Sequence, residues 1–244
     1  MALDKPARLL VSPDHAEPSR PSLMALLHEA IRAGAPWAVA RGITYLANAH
    51  RLGFETSGVL LLAKSRAVLV ALADDFGSEK PVQTYLALVQ GQPRLEAFEV
   101  NAKLAPHPHR SGRMCVDARR GKKSATSFRL EESFAGYSLL RCSARTSRPD
   151  QIRAHLQSRR LPIVGDTLYG GRPLWLSRLK RVYRLKEGRV ERPLMGRVAL
   201  HSAGLKLRHP VAGDDLEIVS PWPKDLRVAV KYLRLFAPPA LPAR

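Results

Sequence analysis

The densest group of side chains able to do chemistry lies in residues 48–58, which read Asn-Ala-His-Arg-Leu-Gly-Phe-Glu-Thr-Ser-Gly. The group combines a histidine, an arginine, a carboxylate and two hydroxyls, and the apolar run that follows, residues 59–64, predicts a buried strand. Functional side chains often lie on loops held by such a scaffold. His50 suits a structural hydrogen bond better than a role as a base. Arg51 suits either a phosphate or a carboxylate such as Asp166.

A second charged group lies in a predicted helix over residues 149–160. Pro149 suits the first helical position, and Asp150 suits the positive end of the helix dipole. Asp150 also stands three residues before Arg153, a spacing that allows an ion pair worth about 0.2–0.5 kcal/mol. Ile152 lies on the face that is expected to pack against the core.

The composition is strongly basic. The 244 residues contain 40 Lys and Arg against 21 Asp and Glu, a formal net charge of +19. A charge of this size favours nucleic acid or an anionic membrane as partner. No apolar run approaches the roughly 18 residues of a membrane span, and the first residues show no signal-peptide core. Cys115 and Cys142 have no metal-binding or pairing pattern, so a reduced, cytoplasmic protein is expected.

Short strands and helices are mixed along the chain. Helices are also predicted over residues 21–34, 65–76 and 224–236, and strands over residues 84–89, 124–130, 137–144, 198–208 and 215–219. The first of these helices is expected to bury Leu23, Leu26, Leu27, Ala30 and Ile31. Without the regular alternation of a doubly wound sheet, the pattern predicts an α+β fold with a largely antiparallel sheet.

The connecting segments carry much of the positive charge. Residues 101–123 are predicted to be a basic loop that contacts phosphates, and residues 172–196 form a second basic segment. A turn-rich loop is expected over residues 161–171, with Asp166 bracing a turn through backbone N–H groups. One domain is expected over residues 1–236, followed by a disordered tail over residues 237–244.

Five segments, in the same order, resemble motifs of the RluA branch of the RNA pseudouridine synthases. They are residues 50–58 (His-Arg-Leu-Asp-x-x-Thr-Ser-Gly in the family), 83–91 (Lys-x-Tyr-x-Ala-x-Val-x-Gly), 121–126 (Gly-Lys-x-Ala-x-Thr), 146–156 (Thr-Gly-Arg-Thr-His-Gln-Ile-Arg-x-His-Leu) and 200–210 (Leu-His-Ala, then His-Pro). Each match alone is weak, but five in order are specific. The resemblance covers nearly the whole chain.

This resemblance implies the pseudouridine synthase fold: a mostly antiparallel mixed sheet with flanking helices and a basic cleft. It places Gly53 at the position of the family's nucleophilic aspartate. Arg153 corresponds to the arginine that pairs with that aspartate, and Arg51 to the arginine that holds the flipped-out nucleotide. Tyr85 corresponds to the aromatic residue that stacks on the uracil, and Ile152 belongs to the same uridine-binding set.

Two functions follow from the departures at this site. Glycine has no side-chain nucleophile, and Gln83, Ser147 and Pro149-Asp150 depart from the family motifs as well. The first function is an RNA-binding family member that has lost isomerisation, with Asp150 supplying the counter-charge of Arg153. The alternative is an active uridine-to-pseudouridine isomerase that uses a displaced carboxylate, Asp150 or Glu55.

The same considerations set the expected partners. Structured RNA, ribosomal or transfer RNA, is the expected ligand, because a flipped base and a basic surface are what the family uses. No cofactor, metal or membrane is expected, since neither a metal-ligand spacing nor a phosphate-cradling glycine loop is present. The chain is expected to act as a monomer.

Overall fold

The computed structural model describes residues 1–14, 17 and 19–239. Its helices are α1 (Leu23–Arg32), α2 (Pro36–Val39), α3 (Arg66–Gly77), α4 (Gln151–Ser158), α5 (Leu176–Leu179) and α6 (Lys224–Phe236). Its strands are β1 (Ala2–Lys5), β2 (Ala47–Asn48), β3 (Ser57–Ala63), β4 (Val82–Gln90), β5 (Ala97–Pro106), β6 (Met114–Val116), β7 (Lys122–Phe134), β8 (Tyr137–Ala144), β9 (Leu200–Arg208) and β10 (Asp215–Val219). The chain divides into two compact units, Met1–Gln83 with Ser202–Pro221 and Thr84–His201 with Trp222–Arg244.

The first unit is built around β3, whose seven residues are all buried. Strands β1 and β2 both pair with β3 in antiparallel fashion, and β9 pairs with β10 in the same way. Helix α3 packs on this sheet through Leu72, with Val68 and Leu69 beside it, as its periodicity predicts. A fully buried strand covered by an amphipathic helix removes enough apolar surface from water to hold the loop that precedes the strand.

The second unit is built around β7, a 13-residue strand that pairs antiparallel with both β5 and β8. The predicted hairpin between β7 and β8 is confirmed, and Gly136 supplies the left-handed backbone of its turn (φ 79°). Helix α4 packs against this sheet, where Ala154 joins Leu104 and Tyr169 in a small apolar cluster. This packing fixes the position of the charged residues on α4.

The prediction of a loop over residues 101–123 is wrong. Strand β5 runs to Pro106, β6 covers Met114–Val116, and β7 begins at Lys122. Residues 97–104 of β5 alternate between exposed positions and buried or half-buried ones, with Val100 and Leu104 buried, which is the two-residue period of a strand. The basic residues that suggested a loop lie mostly in the connection between β5 and β6 and in the turn before β7, and these two segments lie outside the regular strands.

Helix α1 buries a different residue from those expected. Met24 is buried, whereas Leu26 is 48% exposed. The reason lies before the helix: Leu23 N donates to Leu10 O and Met24 N donates to Val11 O, and these bonds fix the direction of the first turn. Sequence spacing identified an apolar stripe but could not show that this short helix covers the core with its first turn.

The remaining strands and helices follow the predictions closely, and α6 has the predicted bounds. Of the expected tail, Ala237 is buried and its carbonyl accepts a hydrogen bond from Ala135 N, while residues 240–244 lie outside the described residues. The α+β class with a predominantly antiparallel sheet and flanking helices is confirmed. No helix in the described part of the chain is long and apolar enough to cross a bilayer.

Candidate functional site

The N-terminal segment of the first unit holds the loop of residues 48–58 through hydrogen bonds to Phe54 O. The side chain of Lys5 is almost fully buried, and its Nζ donates to the carbonyls of Pro6 and Leu9 at 2.8 Å. Arg8 N donates to Phe54 O at 2.7 Å, with Arg8 in the left-handed region (φ 61°), a conformation that favours glycine. The carbonyl of Phe54 is thereby fixed one residue after Gly53.

Gly53 is exposed and opens a turn in which Thr56 N donates to Gly53 O at 3.1 Å. A Cβ added at this position would meet only Thr56 Oγ1 among the described residues, at 3.3 Å, and the backbone does not require glycine. Arg51 is exposed and Glu55 is half-buried on the same loop. A side chain at position 53 would therefore require only the Thr56 hydroxyl to shift by a few tenths of an ångström.

His50 has a structural hydrogen bond. It is buried, and its Nε2 accepts a hydrogen bond from Leu61 N at 3.0 Å, which ties the loop to β3. Its ring lies 5.2 Å from the ring of Phe76. Burial lowers the pKa of His50 to about 4, so the imidazole is neutral near pH 7. The prediction of a hydrogen-bonding histidine is confirmed.

Helix α4, in the second unit, begins two residues later than predicted. Asp150, not Pro149, immediately precedes its first turn, and Asp150 has a left-handed backbone (φ 50°) within a turn in which Gln151 N donates to Arg148 O at 3.2 Å. The Asp150 side chain does not cap a backbone N–H. It points instead to Arg153, whose Nη1 donates to Asp150 Oδ1 at 2.7 Å. The predicted ion pair at i,i+3 spacing is therefore present, although the expected role of Pro149 is wrong.

Arg153 is held by a second carboxylate. Its Nε and Nη2 donate to the two oxygens of Asp166, each at 2.7 Å, in a bidentate pair. The Asp166 side chain is fully buried, and Asp166 Oδ1 also accepts from Tyr169 N at 3.3 Å, which confirms the predicted turn brace. Burial opposes the charge of Arg153, but the bonds and charges of Asp166 and Asp150 outweigh it and raise its pKa.

Tyr169 completes this ionic network. Its hydroxyl donates to Asp150 Oδ2 at 3.1 Å and accepts from Met114 N at 2.7 Å. Burial and the charge of Asp150 raise the pKa of the phenol, so it stays protonated as a donor. The guanidinium of Arg153 lies 4.7 Å from the centre of the Tyr169 ring, within cation–π range. Both oxygens of each carboxylate in the network therefore have a partner.

A buried polar network that the sequence analysis did not single out fastens α4 to β7. The side-chain amide of Gln151 donates to Ala125 O at 3.0 Å and to Thr126 Oγ1 at 2.9 Å. His155 lies one turn later, with Nδ1 2.9 Å from Thr126 Oγ1 and Nε2 3.0 Å from Ser124 Oγ. Two polar residues four apart on the buried face of a predicted helix were the available signal.

Acid should weaken this fastening. Burial lowers the pKa of His155 to about 4, against about 6.5 in an unfolded chain. Because the unfolded state binds the proton first, stability should fall as the pH drops from about 6.5 to about 4, by up to roughly 3 kcal/mol from this residue. Urea unfolding at pH 7 and pH 4.5 measures the loss, and His155→Gln, which cannot titrate, should lose less stability over the same interval. An equal loss in both proteins would contradict this account.

Two further predicted uridine-binding residues are also in the second unit. Tyr85 lies on β4 and is 8% exposed, and Ile152 is 6% exposed on α4. Asp166 was one predicted partner of Arg51. In the structure, both oxygens of Asp166 accept hydrogen bonds from Arg153. The structure thus brings Asp150, Arg153 and Asp166 together, and holds Arg51, Gly53 and Glu55 together on one loop of the other unit. Over the described ranges, no three His, Cys, Asp or Glu side chains are grouped to hold a metal ion.

Comparison with known proteins assigns the family. The sequence pattern of the RNA pseudouridylate synthase family matches residues 1–158. The chain is 37% identical over 191 residues to ribosomal large subunit pseudouridine synthase C of Salmonella typhi, covering 78% of this chain and 57% of that protein. It is 36% identical over 238 residues to ribosomal large subunit pseudouridine synthase D of Xylella fastidiosa, covering 95% and 66%. The chain thus spans about three fifths of the length of these relatives.

Two solved human structures share the fold. Human RNA pseudouridylate synthase domain containing 4 matches with a TM-score of 0.72 at 20% identity, covering 96% of this chain and 89% of that one. Human RNA pseudouridylate synthase domain containing 1 matches with a TM-score of 0.66 at 22% identity, covering 98% and 92%. Together with the match of the family pattern over most of the chain, these comparisons show that the chain belongs to the RNA pseudouridylate synthase family.

Proposed function

We propose that this chain binds structured RNA of the large ribosomal subunit and does not isomerise uridine. Two named relatives are large-subunit pseudouridine synthases, which supports ribosomal RNA as the partner class. The resemblance of residues 48–58, here called the signature loop, to the family motif supports Gly53 as the position of the family's nucleophilic aspartate. A protein of this kind would serve ribosome assembly by holding RNA, as a chaperone or assembly factor, and would act as a cytoplasmic monomer without a cofactor.

The observation that carries the proposal is that Gly53, which has no side chain, is exposed as the first residue of a hydrogen-bonded turn. Nucleophilic catalysis needs a side-chain atom with a lone pair, and glycine has none. Lys5 Nζ and Arg8 N both donate to Phe54 O, and His50 bonds to Leu61 N, so the missing group is not explained by collapse of the loop. The scaffold for a nucleophile is retained while the nucleophile is absent.

The state of Arg153 supports the same proposal. A buried arginine is stable only if carboxylates compensate its charge. Asp166 and Asp150 supply that compensation at 2.7 Å, within a network that includes Tyr169. The helix therefore keeps its arginine without any contribution from position 53.

RNA binding itself rests on charge. The chain has a formal net charge of +19, and the turn into β7 exposes Arg119, Arg120, Lys122 and Lys123. Neutralising phosphates releases bound counterions, so affinity falls linearly in log–log terms as salt rises. The test is fluorescence anisotropy with an unmodified transcript of large-subunit ribosomal RNA between about 50 and 200 mM salt. We expect a steep loss of affinity, whereas absent or salt-insensitive binding would sink the proposal.

The alternative function is an active isomerase with a displaced carboxylate. Asp150 favours it more than Glu55 does, because Asp150 contacts Arg153 at 2.7 Å with its side chain 20% exposed. Against it, the second oxygen of Asp150 accepts the Tyr169 hydroxyl at 3.1 Å. The two functions separate in a pseudouridine assay. Activity in the native chain that disappears in Asp150→Asn and persists in Glu55→Gln would establish the alternative.

A further inference from the structure

Residues 175–194 form a long excursion in the second unit that is closed at its base. Leu174 and Met195 pair in an antiparallel bridge, with Leu174 N donating to Met195 O at 3.0 Å and Leu194 N to Leu174 O at 2.7 Å. Both base residues are buried. We call residues 175–194 the clasped loop. Loops of this length inside a compact unit usually have a function of their own.

The clasped loop has a defined path. Helix α5 occupies its first part, and the Glu191 carboxylate accepts a hydrogen bond from Ser177 N at 2.9 Å, which ties its two limbs together. Its tip is a turn in which Arg189 N donates to Lys186 O at 3.1 Å, with Gly188 in the left-handed region (φ 71°). The backbone that carries the side chains of the two limbs is therefore held in a defined conformation by hydrogen bonds.

Positive charge is concentrated on this loop. Its sequence contains seven basic residues and two acidic ones. The basic residues beyond α5 are exposed, and within the described part of the chain none of them forms an ion pair with a carboxylate; they are Lys180, Arg181, Arg184, Lys186, Arg189 and Arg192. Elsewhere, arginines such as Arg141 and Arg234 are paired with glutamates. The loop therefore keeps its cations available for an external anion.

Exposed apolar side chains are interleaved with these cations. Val182 is 71% exposed and Val190 is 88% exposed, and Leu185 between them is 45% exposed. Cations for phosphates together with apolar groups for riboses and base faces form a surface that suits a nucleic acid.

We infer that the clasped loop is an RNA-binding arm that contacts the phosphate backbone through Arg181, Arg184, Arg189 and Arg192. This inference rests on the proposed function, because it takes RNA as the ligand. It adds a contact surface on residues that none of the five family-like motifs contains. Arginine suits the task, since its planar guanidinium donates in bidentate fashion to phosphate oxygens.

The test compares two variants that each lose four positive charges. One carries Arg181→Gln, Arg184→Gln, Arg189→Gln and Arg192→Gln. The matched control removes exposed cations of the first unit through Arg32→Gln, Arg41→Gln, Lys64→Gln and Arg66→Gln. Affinity for the fluorescent large-subunit ribosomal RNA transcript is measured at several salt concentrations. Because each phosphate contact contributes about 0.7–0.9 to the log–log slope, the loop variant should lose about 3 from the slope and bind at least about tenfold more weakly at low salt.

The control variant should change the slope by less than about 1, the size of a single contact. Arginine-to-lysine changes at the same four loop positions keep the charge and should keep the slope. Equal slopes in the loop variant and the control would overturn the inference and leave the proposed function standing. A native chain that does not bind RNA would overturn both. A loop variant that loses only its binding to phosphatidylglycerol vesicles would also overturn the inference.

Discussion

Replacing Asp166 by asparagine is expected to lower the free energy of unfolding by about 3–5 kcal/mol, because a buried arginine then loses its bidentate partner. The Asp166 side chain is fully buried and accepts two hydrogen bonds of 2.7 Å from Arg153. Asp150 compensates part of the remaining charge, but it reaches only Nη1. Urea denaturation followed by tryptophan fluorescence and circular dichroism measures the change.

Glu132→Gln is the matched control in the same unit. Glu132 also forms a bidentate pair, with Arg234 at 2.7 and 2.8 Å, but that arginine side chain is 58% exposed. A solvent-exposed pair of this kind contributes at most about 1 kcal/mol. The contrast tests burial and not hydrogen-bond count. Similar losses for Asp166→Asn and Glu132→Gln would show that the buried network is not the anchor of α4.

Replacing Gly58 by alanine is expected to lower the free energy of unfolding of the first unit by more than about 4 kcal/mol. Losses of this size arise from mechanisms such as steric overlap and backbone strain. Gly58 ends the signature loop with φ 113°, and an added Cβ would lie 2.1 Å from the carbonyl oxygen of Ser202. Neither backbone can move without breaking pairing: Gly58 is paired with Lys5 in the β1–β3 register. Thermal and urea unfolding of the variant measure the loss.

Gly42→Ala in the same unit separates the two causes. Gly42 also has a left-handed backbone (φ 58°), but nothing lies within 4 Å of an added Cβ. Its replacement should cost only the backbone strain, about 1–2 kcal/mol. If Gly58→Ala cost no more than Gly42→Ala, close approach of the backbones at the end of the signature loop would be refuted.

The parts of the site that depend on local geometry could be predicted from the sequence. The pair of Asp150 and Arg153 follows from a three-residue spacing on a helix, and the structural role of His50 follows from its place before a buried strand. The second carboxylate of Arg153 could not be predicted, because Asp166 lies 13 residues away on a loop whose path no periodicity encodes. The hydrogen bond from Met114 N to the Tyr169 hydroxyl joins residues 55 positions apart, so it could not be predicted from local sequence spacing either.

The errors in the fold arose where local composition was weighed against contacts that it does not show. The basic side chains that suggested a loop over residues 101–123 lie mostly in two connections, whereas Leu104 is buried and β5 pairs with β7 in continuous register. In the same way, a left-handed Asp150 displaced the start of α4, although proline at the preceding position favours helix initiation. Cross-strand pairing decided the first case, and the single left-handed conformation of Asp150 decided the second.

Loss of isomerisation at position 53 is the central claim, and its most direct test is pseudouridine formation on an unmodified large-subunit ribosomal RNA transcript. The purified native chain is assayed beside Gly53→Asp, whose added Cβ would meet only Thr56 Oγ1 among the described residues, at 3.3 Å, and would require that hydroxyl to shift slightly. The native chain is expected to bind this RNA and form no pseudouridine. Formation in Gly53→Asp would show a scaffold that lacks one carboxylate. Pseudouridine formed by the native chain would contradict the account and direct attention to Asp150.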